Sequence, residues 1–327
     1  MFLLLVAGVL SGWAGEKASF DRPMTYSGMS DASAGVAVSS NLFIVADDES
    51  NSLRLYNTGR GGPPIAEFDM SDFLEVYGKA IEADLEGGAR LADRAFWIGS
   101  HGRNRNGKER DNRCRFFATD IHLANGRVTL TPAGRPYKHL LDDLIAEPQL
   151  SRFHLREASL LSPKDEDAFN IEGLSATPDG TLLIGFRNPI PEGKALLIPL
   201  LNPNEMIQGE SVRFGEPIQL ELGGLGIRDI AYFGGSYIIS AGPYNGRGAF
   251  HFYSWKGRGH EPRRIRTPKL GNFHPEAVVI YPENGLNYFQ ILSDDGKHNL
   301  SGTPNRALPF EERTFRSLWV QVPAASE

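Results

Sequence analysis

Apolar residues along this chain come in short runs, too short for helices, separated by turns rich in glycine and proline. Two of the runs share a frame. In "DLEGGARLADRAFWIGSHGRN" (Asp84 to Asn104) and "FNIEGLSATPDGTLLIGFRNP" (Phe169 to Pro189), Glu-Gly opens a strand, a turn follows, and a second apolar strand ends in Gly and a basic residue. Glu86 precedes Gly99 by the same interval as Glu172 precedes Gly185. A supersecondary unit used more than once marks a repeat architecture. Looser copies are "SDASAGVAVSSNLFIVADDESN", led by Asp31, "GIRDIAYFGGSYIISAG", with Arg228-Asp229 in place of Glu-Gly, and "HPEAVVIYPENGLNYFQILSDDG", with Glu276 at that position. Five copies result.

Each copy continues into further alternating runs, such as "SLRLYNT", "RCRFFATDIH" with "GRVTLTP", and "KALLIPLL" with "VRFGEPIQLEL". Four strands per unit is the usual blade of a β-propeller. The last copy is short of strands: after "LNYFQILSDD" only "FRSLWVQVP" remains, while the early "RPMTYSG" has no partner of its own. Pairing the two would close the ring and hide its edges. The expectation is an all-β, five-bladed β-propeller in a single domain over residues 20–323, with six blades as the alternative. The interval from Glu86 to Glu172 is longer than its neighbours by about thirty residues. The excess lies in Pro136 to Leu161, where Leu140, Leu141, Leu144 and Ile145 have helical spacing, so a helical insertion is expected there.

Composition agrees with a packed domain: 41% of residues are hydrophobic and 23% charged, ordinary globular values. With 34 Lys+Arg against 40 Asp+Glu the net charge is −6, which argues against nucleic acid as a partner while leaving room for a local basic pocket. Phe2 to Leu10 is an apolar run followed by small residues at Ala14-Gly15, without a basic start. It reads as a signal peptide over residues 1–15 and too short to span a bilayer, which makes the protein periplasmic or secreted, with no stable membrane span. The single Cys114 makes no internal disulfide, and a monomer is expected.

In a propeller the first strand of every blade lines the axis, so the openings of the repeats converge. That assembles Asp31, Asp84 with Glu86, Asn170 with Glu172, Arg228 with Asp229, and His274 with Glu276. The ends of the second strands add Asp47-Asp48, His101, Arg103, Arg105, Arg187, Asn188, Asp294 and Asp295, on the same rim or the other according to strand direction. Taken singly, each has a structural explanation: Asp and Asn accept backbone hydrogen bonds at strand starts, and Arg beside Asp forms an ion pair. Taken together, so many charges cannot all be desolvated, and some must meet water, a metal or a ligand.

The segments "DLEG", "GSHGRN", "NIEGL", "LLIGFRNP", "GIRD" and "HPEA", in that order between Asp31 and Asp295, resemble the bacterial family of domain of unknown function 3616. In its Glu-Gly repeats that family is similar to propellers such as the esterase-like phytases, a likeness of fold only. The resemblance implies a propeller and carries no activity with it.

Three functions fit the residues. The first is a site for a small anionic, phosphorylated ligand with Ca²⁺ or another divalent cation, extending to metal-assisted phosphoester hydrolysis. Glu86, Glu172, Arg187 and Arg228 would be catalytic, His101, Arg103, Asn188 and His274 ligand-binding, and Asp31, Asp84 and Glu276 metal ligands. "DDESN" and "SDDGKHN" lack EF-hand spacing, and HExxH, GxSxG and Walker motifs are absent. The second is a glycosidase using Glu86 and Glu172, with Trp97 and Tyr244 near the rim. The third is a non-catalytic binding scaffold.

Overall fold

The computed structural model describes residues 17–78, 82–300 and 302–323, so the leader expected over residues 1–15 lies outside it. The strands form five four-stranded antiparallel sheets, and the inner strands touch in ring order one to five and back to one, giving a five-bladed β-propeller. From the axis outward, blade one is Ala32–Ser39, Leu42–Asp47, Ser52–Asn57 and Ala66–Asp69. Blade two is Leu85–Leu91, Arg94–Gly99, Phe116–Ala124 and Arg127–Tyr137. Blade three is Asn170–Ala176, Leu182–Asn188, Ala195–Leu200 and Ile218–Leu220. Blade four is Gly226–Phe233, Ser236–Gly242, His251–Trp255 and Arg263–Ile265. Blade five combines Pro275–Val279, Tyr288–Ser293 and Thr314–Gln321 with the N-terminal Ser19–Ser27, so the two ends of the chain share it as their leftover strands suggested.

The second strands are mostly apolar on both sides because both faces of a blade are buried. In blade one, Ile44 and Ala46 face the gap to blade two while Phe43 and Val45 face the gap to blade five. The described core falls into five clusters, one in each gap between neighbouring blades. The long interval carries three short helical pieces, Leu140–Ala146, Pro148–Phe153 and Leu155–Ala158, whereas Pro136 and Tyr137 still belong to the outer strand of blade two. Pro148 and His154, the latter at φ 51°, separate the pieces. Leu140, Leu144, Leu150, Phe153 and Leu155 are buried in the cluster between blades two and three. No helix among the described residues is long and apolar enough to cross a membrane.

All five inner strands carry the same irregularity. The register skips one residue between Ala32 and Ala34, Leu85 and Gly87, Ile171 and Gly173, Ile227 and Asp229, and Pro275 and Ala277. The residues bulged out are Ser33, Glu86, Glu172, Arg228 and Glu276. A bulge leaves its extra residue outside the ladder and re-aims its side chain, and all five line one cavity at the axis. Blade four meets blade three closely there: a Cβ on Gly226 would stand 1.9 Å from the Arg187 carbonyl oxygen. Gly226→Ala must therefore push two blades apart at the rim, and its urea midpoint should fall by the equivalent of about 2–3 kcal/mol with the slope unchanged. A midpoint within error of the wild type would show that the contact yields freely.

Candidate functional site: a charged axial chamber

The chamber has a volume of about 670 Å³ and is walled by the five bulged residues, by ends of second strands and by connecting loops. Because the two inner strands of a blade run antiparallel, the start of one adjoins the end of the next, and both sets of candidates share this rim. Asp31 bridges Asp294, for example, across blades one and five. The opposite ends of the inner strands border a separate cavity of about 450 Å³ with Val36, Ala89, Leu174 and Val278 in its wall. Charge is thus concentrated at one end.

Two arginines organise one side. Arg187 Nη1 bonds Glu172 Oε1 and its Nε donates to the Tyr244 carbonyl at 2.7 Å. Arg228 forks onto Glu276, with Nε 2.7 Å from Oε2 and Nη2 on Oε1. Its Nε also lies 2.9 Å from Glu172 Oε2, but the hydrogen is directed to Glu276, leaving that Glu172 oxygen an ion-pair neighbour without a hydrogen bond. Arg228 is 6% exposed and still has Nη1 without an acceptor. Burial pushes the Glu276 carboxyl up to about 7, with Arg228 opposing and Glu172 adding to the rise.

The other side is short of cations. One carboxylate oxygen from each of Asp48, Asp84 and Glu86 lies within 4.8 Å of the others. Asp84, held at φ 53°, is matched by Arg113 Nη1 at 2.8 Å. Among the described residues Asp48 and Glu86 have no ion pair, and Asp48 Oδ1 is buried without any partner. Burial first, then the neighbouring carboxylates, hold both Asp48 and Glu86 well above the usual range, while Asp84 reaches about 6 with Arg113 restraining it. Across the chamber, desolvation and the adjoining Lys297 and Arg187 bring the Lys164 ammonium down to about 8.

Of the residues chosen from sequence, Asp48, Asp84, Glu86, Arg105, Asn170, Glu172, Arg187, Arg228, His274, Glu276 and Asp294 line the chamber. Asp31 sits behind it, bonded to Ser30 and Arg306, and its carboxyl is raised to about 8 by burial and by Asp294. Glu276, expected as a metal ligand, is taken up by Arg228, and the carboxylates that do cluster are Asp48, Asp84 and Glu86. His101, Arg103 and Asn188 are not in the chamber wall. His101 is buried, its Nδ1 2.8 Å from the Gly99 carbonyl, and burial lowers it to about 4. Arg103 donates to the Ser159 and Gly107 carbonyls, and Asn188 to the Asp165 carbonyl. Asp229 turns into the gap between blades four and five and accepts the Ile230 and Val278 amides.

Trp97 is fully buried with Nε1 on Thr119, so it does not reach the rim, and Phe250 is the aromatic residue in the wall. A funnel lined by arginines with one aromatic does not suit a sugar ring, and the glycosidase reading gains no support. Sequence reasoning missed Arg113, Lys164, Lys297 and Arg306: Arg113 sits on a connection inside blade two, Lys297 and Arg306 on one inside blade five, and Lys164 on the link from blade two to blade three, outside the repeated strands.

Fold and chamber together define a five-bladed propeller with a charged axial pocket built from strand bulges. The chain belongs to the family described as "Protein of unknown function (DUF3616)", which matches residues 31–120 and 127–271. No curated protein matches it. Among solved structures it is similar to the glutaminyl cyclase of Myxococcus xanthus, with TM-score 0.49 and 9% identity over 94% of this chain and 100% of that chain. It is also similar to a putative oxidoreductase (glucose dehydrogenase) of Thermus thermophilus, with TM-score 0.45 and 15% identity over 91% and 99%. A gluconolactonase of Xanthomonas campestris gives TM-score 0.40 and 12% identity over 85% and 75%. Likeness at these levels transfers no activity.

Arg228 compensates two buried carboxylates at once, so Arg228→Ala should cost about 3–5 kcal/mol in equilibrium unfolding. Adding Glu276→Gln, which removes one of the stranded charges, should recover part of the loss. A loss below about 1 kcal/mol for the single variant would mean that the carboxylates are already neutral or hydrated.

Proposed function

We propose that the axial chamber binds a phosphorylated small ligand together with a divalent cation and hydrolyses its phosphoester. The observation that carries this reading is the pairing of unspent groups of opposite sign in one chamber: Arg228 Nη1 without an acceptor, and Asp48 Oδ1 without a donor beside Glu86. Three oxygens within 4.8 Å of one another fit around a single hard cation, whose carboxylate oxygens lie roughly 2.3–2.6 Å from it. Asp48, Asp84 and Glu86 would hold Ca²⁺ or a similar ion, which supplies Lewis-acid stabilisation of a phosphoryl oxygen when bound. Arg228 and Lys297 then face the remaining phosphoryl oxygens and offset the charge that develops on them. Water attacks phosphorus and gives a proton to Glu172 Oε2, which no hydrogen bond occupies, the ester P–O bond breaks, and the departing oxygen takes a proton from Lys164, whose ammonium near pKa 8 gives it up readily.

Thermal-shift measurements test this directly. Ca²⁺ should raise the midpoint, and inorganic phosphate should raise it further only when Ca²⁺ is present. Asp48→Asn should abolish the cation shift while leaving the free protein as stable as the wild type or more so, because an unpaired buried carboxylate is removed. Absence of any shift at millimolar cation and phosphate sinks the reading. A shift without turnover of a chromogenic phosphomonoester would leave a binding protein and remove the hydrolytic step.

A further inference from the structure

Blade four carries a further concavity, outside the chamber, of about 1470 Å³. It is lined by Lys17, Arg263, Arg264, Arg266 and Lys269, and no Asp or Glu is among its described lining residues. None of these five forms an ion pair among the described residues, and Arg264 meets only the neutral-capable His251 Nδ1 at 2.9 Å. Five uncompensated cations on one wall of a protein of net charge −6 form a concentrated positive field. Arg263 and Arg264 lie on the outermost strand of the blade, where basic residues discourage edge pairing. That accounts for neither Lys17 nor Lys269, which reach the groove from other segments.

The groove adjoins the chamber. Phe250 and His274 line both, with their rings 6.0 Å apart, and the Arg228 guanidinium lies 5.8 Å from the Phe250 ring on the chamber side. The volume exceeds the roughly 300–1,000 Å³ of ordinary small-molecule sites. We propose that the groove docks a linear chain of phosphate groups and presents its end to the chamber past Phe250 and His274. This rests on the phosphate reading of the chamber. Guanidinium forks suit phosphate oxygens, and successive charges along such a chain match successive cations along the trough. Nucleic acid suits it less, since among the described lining residues Phe273 is buried and the Phe250 ring is engaged with His274, which leaves few flat faces for bases.

Calorimetry with orthophosphate, tripolyphosphate and long-chain inorganic polyphosphate, on chelator-treated protein, reads the groove alone. Affinity should rise with chain length and fall steeply with salt. The combined variant Arg264→Gln, Arg266→Gln and Lys269→Gln, altering exposed side chains only, should keep the wild-type thermal midpoint, lose about tenfold or more for the long chain, and show a shallower salt slope. No rise with length, or a variant that binds the long chain as the wild type does, overturns the proposal. Equal binding of polygalacturonate, or tighter binding of single-stranded DNA, overturns the ligand class. Orthophosphate with Ca²⁺ is measured separately: if it fails while the length dependence holds, the chamber reading falls and the groove remains.

Discussion

One backbone irregularity underlies everything at the axis. An inner strand in regular register would send alternate side chains into the two gaps beside its blade, and the axis would receive few of them. Skipping one residue at the same level in all five blades takes Ser33, Glu86, Glu172, Arg228 and Glu276 out of that alternation. The cost of gathering charge there is met by cross-blade pairing. Arg228 from blade four holds Glu276 of blade five and touches Glu172 of blade three, so the polar rim also ties neighbouring blades together.

That pairing divides the chamber into a satisfied half and an unsatisfied half. Around Arg187 and Arg228 nearly every oxygen has a donor, whereas Asp48 and Glu86 crowd against Asp84 and, among the described residues, only Asp84 of the three has an ion pair, with Arg113. A fold that gained nothing from the second arrangement would lose stability by keeping it, because buried like charges raise one another's protonation cost. Such imbalance leaves the chain short of its stability optimum, as natural proteins commonly are.

The repeat pattern made the fold readable, since Glu-Gly before an apolar strand recurs wherever a bulge must be followed by a small residue. Glu86-Gly87 and Glu172-Gly173 show it plainly, and Arg228-Asp229 shows it disguised, because Asp229 is used as a strap between blades instead. The chamber was legible to the same extent: residues on the repeated strands could be placed, and Glu86, Glu172, Arg228 and His274 are there. Asp48 was visible as a strand end, but its isolation depends on which neighbours lack cations, which no local pattern records. Lys164 and Lys297 arrive on loops outside the repeated strands, and His101 and Arg103 share a motif with real wall residues yet turn into backbone carbonyls.

The shared fifth blade bears on how the molecule is assembled. Apart from a bridge to Gly62, Ser19–Ser27 pairs with Thr314–Gln321, so the strand pairing that seals the ring joins the most distant parts of the described chain. Contacts of such sequence separation form late and slowly. Until that pairing forms, the faces that blades one and four turn towards blade five lack their full cover.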